Sequence, residues 1–213
     1  EYALIMAARE GGMDDDQSGL TPRQSAFLWL QEKEAFFGGA AGGGKSQALL
    51  LGALQYVDIA GYAALLVRRS FPQLSQPGGL IDVSKRLLTG SQAAWKEAEH
   101  TWTFPSGARI VFGHLDSEND KYKYQGAEFQ FIGADELTQF SETQYTYLAS
   151  RLRRRSGSTI PLRLRAASNP GGEGHQWVKS RYVDPSTRAG TFIPSRMEDN
   201  TYLDVDAYRE QLS

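Results

Sequence analysis

The sequence predicts an α/β fold, with a mainly parallel central sheet flanked by helices. Three observations lead there. Short apolar runs alternate with segments of helical periodicity along most of the 213 residues. A glycine-rich loop joins the first apolar run to a helix. A second apolar run, about 90 residues further on, ends in two adjacent acids.

Taken in order, residues 1–19 read as an N-terminal extension: a helix fragment, then the soft loop Gly11-Gly12-Met13-Asp14-Asp15-Asp16. Thr21-Pro22 supplies an N-cap with proline at the first helical position, and residues 24–31 continue that helix. Ala35-Phe36-Phe37 runs into glycines, as a buried strand does. Residues 45–60, with Ala, Leu and Gln at helical spacing, form the next helix. Residues 63–67 read as a buried strand and 77–88 as a helix. Residues 101–104 and 109–115 flank Pro105-Ser106-Gly107, whose turn chemistry predicts a hairpin. A strand at 129–134 leads to a helix at 141–154 capped by Ser141. Leu alternates with Arg in a strand at 161–167. A short helix at 175–182, a strand at 191–195 and a helix at 205–212 complete the pattern.

Composition removes several function classes. With 40% hydrophobic residues the chain can build one packed domain and is not a disordered segment. No run approaches the ~20 apolar residues of a membrane span. No lysine-led apolar segment resembles a signal peptide, although the chain begins with Glu1, so a cytosolic location is expected. Zero cysteines exclude disulfides, thiol catalysis and cysteine-ligated metals. His100, His114 and His175 are too scattered in sequence to suggest a histidine metal site. The net charge of −2 gives no overall basic field for nucleic acid. Locally, six arginines (151, 153, 154, 155, 163 and 165) fall within fifteen residues that carry no acid.

The loop Gly39-Ala40-Ala41-Gly42-Gly43-Gly44-Lys45-Ser46 fits G-x-x-x-x-G-K-[S/T] without a mismatch. Small residues let its N–H groups converge on phosphates, Lys45 reaches the β- and γ-phosphates, and Ser46 offers its hydroxyl to Mg²⁺. The first turn of the following helix, through Gln47, adds its positive end. The plainer reading is a strand-to-helix turn that binds nothing, but it leaves Lys45 and Ser46 without a packing purpose. Residues 129–136 (Phe-Gln-Phe-Ile-Gly-Ala-Asp-Glu) supply the acidic partner. Asp135 is placed to hold Mg²⁺ and Glu136 to polarise an attacking water, so ATP hydrolysis is expected over kinase chemistry.

With both motifs in place, residues 20–202 resemble the ATPase domain of the large terminase subunit of tailed bacteriophages. The resemblance rests on Leu20-Thr21-Pro22-Arg23-Gln24, the loop from Gly38 to Ser46, Val67-Arg68-Arg69-Ser70, Tyr124-Gln125-Gly126-Ala127-Glu128-Phe129, Asp135-Glu136-Leu137-Thr138 and Ser168-Asn169-Pro170-Gly171-Gly172. It implies a RecA-like P-loop NTPase fold of the additional-strand, catalytic-glutamate type. It also implies a motor that hydrolyses ATP to move double-stranded DNA into a procapsid. The implied partners are the portal protein, the small terminase subunit and further copies in a ring on the portal, in the host cytoplasm. Alone, the domain is expected to be a monomer or weak oligomer. Gln24 is then an adenine-sensing glutamine, and Ser168-Asn169 a coupling motif that relays the γ-phosphate state.

Two departures stand out. Some members of that family carry an arginine inside the phosphate loop; here those positions are Gly and Ala, so a finger has to come from elsewhere, in trans. Arg151 is the leading candidate, ahead of Arg153, with Lys121 and Lys123 as rivals and a solvated helix cap as the plainer reading of the arginines. The family also carries a C-terminal nuclease domain, so residues 20–200 are expected to be the ATPase domain and 201–213 the start of a linker. Arg68, Arg69, Lys85, Arg86 and Lys96 are the basic candidates for DNA backbone contact. Two other functions fit the phosphate loop: a helicase- or recombinase-type motor, and a module that binds nucleotide without hydrolysis. Glu136 argues against the last, since a pure binder has no use for a catalytic carboxylate.

Overall fold

The computed structural model describes residues 20–40, 44–154 and 156–195. The expected helices near the two ends, the loop residues Ala41, Gly42 and Gly43, and Arg155 lie outside the described residues. Eight strands form one sheet: β1 (Glu34–Gly39), β2 (Ala63–Arg68), β3 (Ala94–Lys96), β4 (Thr101–Thr103), β5 (Arg109–His114), β6 (Phe131–Asp135), β7 (Arg163–Ser168) and β8 (Thr191–Ser195). Their order across the sheet is β3-β4-β5-β2-β6-β7-β1-β8. Neighbours are parallel except at the β3-β4-β5 edge, where the expected hairpin joins β4 to β5 and gains β3 as a third strand. β7 stands between β1 and β6, pairing Phe37 with Ala167 on one side and Ala167 with Asp135 on the other. An additional strand between the two motif-bearing strands is the RecA-like arrangement that the sequence implied.

Alternation along the strands divides the core into two layers. Phe37, Ala64, Leu66 and Phe131 face α1 (Pro22–Trp29), α2 (Lys45–Leu54) and α4 (Leu80–Leu88), which contribute Phe27, Leu49, Leu50, Leu54, Ile81 and Leu88. Phe36, Leu65, Val67, Ile132 and Ala134 face α5 (Glu142–Ala149) and α6 (His175–Val178), with Tyr145, Leu148 and Val178. A further short helix, α3 (Phe71–Ser75), follows β2. No helix among the described residues is long and apolar enough to cross a membrane.

Several elements end earlier than periodicity alone predicts. The helix expected at 45–60 stops at Leu54, where the Tyr62 hydroxyl donates to the Ala53 carbonyl at 2.9 Å and takes over the role of the next helical N–H. The helix expected at 141–154 stops at Ala149, because Leu152 turns back to bridge Phe129 beside the sheet. The segment expected to be helical over 175–182 is α-helical only to Val178 and continues as a π-helical turn, Lys179–Val183. A 3₁₀ segment, Glu118–Tyr124, lies against α5 where no regular element was expected.

The arginine-rich stretch is divided by the fold. Arg163 and Arg165 are buried, because β7 is an interior strand covered on both faces. Arg165 donates to the carbonyls of Leu30 (2.9 Å), Glu32 (3.0 Å) and Lys33 (3.2 Å), and Arg163 to that of Gln31 (2.5 Å). The two side chains thus satisfy the loop that delivers the chain into β1. Arg165→Met should therefore lower the unfolding free energy by about 1–3 kcal/mol through orphaned carbonyls. Urea titration checks this, and an unchanged midpoint would show that the loop does not depend on the guanidinium.

Candidate active site

The motif residues converge at one edge of the sheet, where β1, β2, β6 and β7 all end. β1 enters the phosphate loop through Gly39, at φ 141°, where a Cβ would stand 1.9 Å from the Ser195 carbonyl oxygen; only glycine lets β8 pass so close. α2 opens at Gly44 in the left-handed region, φ 68°. Lys45 is buried, and its ammonium donates to the Ala40 carbonyl across the loop. Burial holds its pKa below the usual lysine value, opposed by the charges of Glu136 and Asp135. Gln47 is exposed in the first turn.

Asp135 ends β6 with 1% exposure. Ser46 Oγ stands 3.0 Å from both of its carboxylate oxygens. Burial pushes the Asp135 carboxyl up to about 6, partly offset by Arg68, with Glu136 adding to the rise. A folded-state value above the free one withholds stability at neutral pH; that deficit is relieved as pH falls from about 6 toward the free value of 3.8. A hydroxyl and a deprotonated carboxylate held together in this way are hard oxygen donors, the set that Mg²⁺ takes alongside substrate phosphates. The residues fit the ion.

Glu136 follows directly and sits at φ 55°, a conformation that non-glycine residues adopt only under constraint. That turn carries its carboxylate out between two neighbouring strands. Arg68, at the end of β2, approaches Glu136 Oε1 at 3.7 Å, and Ser168 Oγ, at the end of β7, lies 3.3 Å from Oε2. Ser168 is itself 2.8 Å from the Thr138 hydroxyl, and Thr138 Oγ1 lies 3.4 Å from the Asn169 carbonyl oxygen. Asn169 Oδ1 is buried without a hydrogen-bond partner. Ser168 therefore touches the carboxylate that sequence assigned to water activation, and Asn169 joins it through Thr138, an added member that sequence reasoning missed.

Gln24 does reach the loop, but its amide is committed within the protein. Its Oε1 accepts from Thr21 N–H at 2.9 Å, which with Thr21 Oγ1 accepting from Gln24 N–H at 3.2 Å closes a capping box on α1, and its Nε2 donates to the Gly44 carbonyl at 3.0 Å.

Arg151 lies elsewhere. Its carbonyl accepts from Phe129 N–H at 3.0 Å, six residues before Asp135 and so ~20 Å away along the strand direction, at the opposite end of the sheet. Its guanidinium rests over Tyr147 at 5.1 Å; Tyr147 meets Tyr122 edge-on at 5.4 Å, and Lys121 lies over Tyr122 at 5.5 Å. Arg151 and its rival Lys121 are thus linked through two tyrosines on one surface, while Lys123 pairs with Asp120 at 3.1 Å. The fold corrects the expectation for Arg68 and Arg69 as DNA contacts. Arg68 is 15% exposed and faces the carboxylates, while Arg69 donates to the Leu115 carbonyl at 3.1 Å and to Gln144 Oε1 at 3.3 Å. Lys85, Arg86 and Lys96 pair with Glu97, Asp82 and Glu99. The only hint of the Arg68 position was its place at the end of an apolar strand.

Comparison with known proteins bears on the whole arrangement. No curated protein sequence matches the chain. Among solved structures, the large terminase of a thermophilic bacteriophage is similar with a TM-score of 0.70 at 16% identity, covering 91% of this chain and 50% of that one. The same terminase in complex with ATP-gamma-S gives 0.70 at 16% identity over 90% of this chain and 48% of that one. The large terminase of bacteriophage HK97 gives 0.55 at 11% identity over 79% and 37%. These likenesses establish the fold, and the chain spans about half the length of the thermophilic phage protein. Residues 36–213 match the family described as terminase large subunit, T4likevirus-type, N-terminal. The chain belongs to that family.

Proposed function

We propose that this chain is the ATPase motor domain of a phage large terminase, which hydrolyses ATP with Mg²⁺ to translocate double-stranded DNA into a procapsid. The observation that carries the proposal is the contact of Ser46 with Asp135, 3.0 Å across two motifs 89 residues apart. In this reading Gly39 to Gln47 cradle the phosphates, including Ala41, Gly42 and Gly43. Lys45 neutralises the β- and γ-phosphates, Ser46 and Asp135 hold Mg²⁺, and Glu136 orients the attacking water. Gln24 stiffens the loop beside the adenine, and Ser168-Asn169 carries the γ-phosphate state from Glu136 into β7. Mg²⁺ supplies charge stabilisation to the phosphates when bound. The thermophilic phage terminase has been solved with ADP and with ATP-gamma-S, which supports a nucleotide at this edge.

Residues 20–200 form the motor domain in this reading, with 1–19 as an extension and 201–213 leading toward a nuclease domain. The motor works as a ring on the portal in the host cytoplasm, with the small terminase subunit and DNA as partners. A non-hydrolysing module is disfavoured by the constraint on Glu136, which fixes a carboxylate beside the metal ligands in a strained conformation.

Glu136→Gln should retain Mg²⁺-dependent ATP binding while hydrolysis falls ~10²–10⁴-fold, the usual worth of a general base. Asp135→Ala should instead weaken the Mg²⁺-dependent binding itself. Fluorescent-nucleotide titration and phosphate release check both, and equal loss of binding in the two variants would refute the division of roles.

A finger supplied in trans predicts complementation. Arg151→Ala subunits keep Glu136, and Glu136→Ala subunits keep the arginine, so their mixture under packaging conditions should recover part of the ATPase activity. The worth of such an arginine is ~10³–10⁵ in rate. No recovery in the mixture, or full activity of Arg151→Ala alone, would return Arg151 to a stacking role on Tyr147.

A further inference from the structure

Arg68 is the group at this edge that the proposed chemistry does not use. It leaves the end of β2 and places Nε 3.1 Å from Asp135 Oδ2, with Nη2 3.7 Å from Glu136 Oε1. Its third nitrogen, Nη1, donates to the Gln73 carbonyl in α3 at 2.9 Å. Gln73 in turn donates to Gln139 at 3.4 Å, in the turn that follows Glu136. One guanidinium therefore meets both carboxylates and α3, and through the Gln73 side chain it is linked to the turn after Glu136. Nε nevertheless has no aligned hydrogen bond, although it is buried. The contact is one of charge without good geometry, and a buried donor left in that state calls for an explanation, a catalytic role or a missing ion among them.

We infer that Arg68 is a positioning residue that Mg²⁺ and nucleotide displace. The inference rests on the function proposed above. Arg68 occupies Asp135 from one side while the Ser46 hydroxyl occupies it from the other. A divalent cation held by Ser46 and Asp135 stands within a few ångströms of the guanidinium, and like charges at that distance in a buried site repel strongly. Arg68 and the metal therefore compete for one carboxylate. While Arg68 holds Asp135 it also holds Glu136, so the water-activating carboxylate stays engaged until the metal arrives. Loss of the Asp135 contact frees both the Glu136 side and the link through Gln73 to α3. Binding of the metal thereby becomes a mechanical event at the end of β2. A purely structural Arg68, present only to neutralise a buried acid, predicts no such competition.

The test is a Mg²⁺ titration of the whole chain at fixed N-methylanthraniloyl-ADP. Arg68→Gln keeps a polar side chain of shorter reach but removes the charge; it should reach half-saturation at least about fivefold lower in Mg²⁺ than the unsubstituted chain, the low end of ordinary coupling between sites. Arg68→Lys should lie near the unsubstituted chain. An unchanged or higher Mg²⁺ requirement in Arg68→Gln, with ADP still bound, overturns the role of Arg68 and leaves the nucleotide site standing. Failure of the unsubstituted chain to bind ADP at any Mg²⁺ concentration overturns the site itself, and this inference with it. If Arg68→Gln does not fold, a crystal structure of the unsubstituted chain with Mg²⁺ and ADP decides. Separation of Arg68 from Asp135 beyond ion-pair distance supports displacement, and a retained contact overturns it.

Discussion

Asp135 is a carboxylate with 1% exposure at the end of an interior strand, and its charge is compensated by groups from separate parts of the chain. The Ser46 hydroxyl comes from the first turn of α2, and the Arg68 guanidinium from the end of β2. The Lys45 ammonium adds its charge from the first residue of α2. Burying an ion is unfavourable unless partners meet it, and here no single partner removes the effect of burial: the carboxyl is still pushed up to about 6. The ends of β1, β2 and β6 are therefore gathered around one incompletely balanced charge. In the function proposed above, a divalent cation entering there would complete the balance, so that what weakens the free protein would favour the loaded one.

Glu136 depends on the same placement. Once β6 ends in a buried acid, the chain has to turn at once, and the left-handed conformation at Glu136 sends its carboxylate between β2 and β7. Because β7 is inserted between β6 and β1, its last residue, Ser168, falls beside that carboxylate, and Asn169 follows directly. The Thr138 hydroxyl ties the two turns together, and the Thr138 carbonyl also accepts from Gly174 N–H at 2.7 Å. A change at Glu136 thus has a short covalent and hydrogen-bonded route into the segment leading to α6. Strand order, a feature of the whole fold, decides which residues can sense the site.

Sequence and structure agree best where local chemistry dominates. The phosphate loop was legible because its glycines, lysine and serine have few other uses, and β2 and β6 because an apolar run of their length must be buried. Arg163 and Arg165 were counted within a basic cluster, since a single sequence does not reveal that β7 is interior or that carbonyls at 30–33 await its guanidinium groups. Arg68 was set among the DNA candidates for a related reason: only the register of β2 against β6, which pairs Val67 with Ala134, brings its side chain to Asp135. The 118–124 segment had no periodicity to read, as it is held by tertiary contacts such as Gln144 Nε2 donating to the Ser117 carbonyl at 2.8 Å. Helix ends at Leu54 and Ala149 were missed because distant residues, Tyr62 and Phe129, set them.

The central claim is that this edge of the sheet binds and hydrolyses ATP through the phosphate loop, and Lys45→Ala addresses it most directly. Lys45 makes its hydrogen bond to a loop carbonyl of its own segment, so its removal leaves the fold-bearing contacts in place. Mg²⁺-dependent phosphate release from ATP by the purified chain should fall at least about a hundredfold in Lys45→Ala, with the unfolding midpoint essentially retained. Hydrolysis at the unsubstituted rate in a folded Lys45→Ala chain would contradict the account.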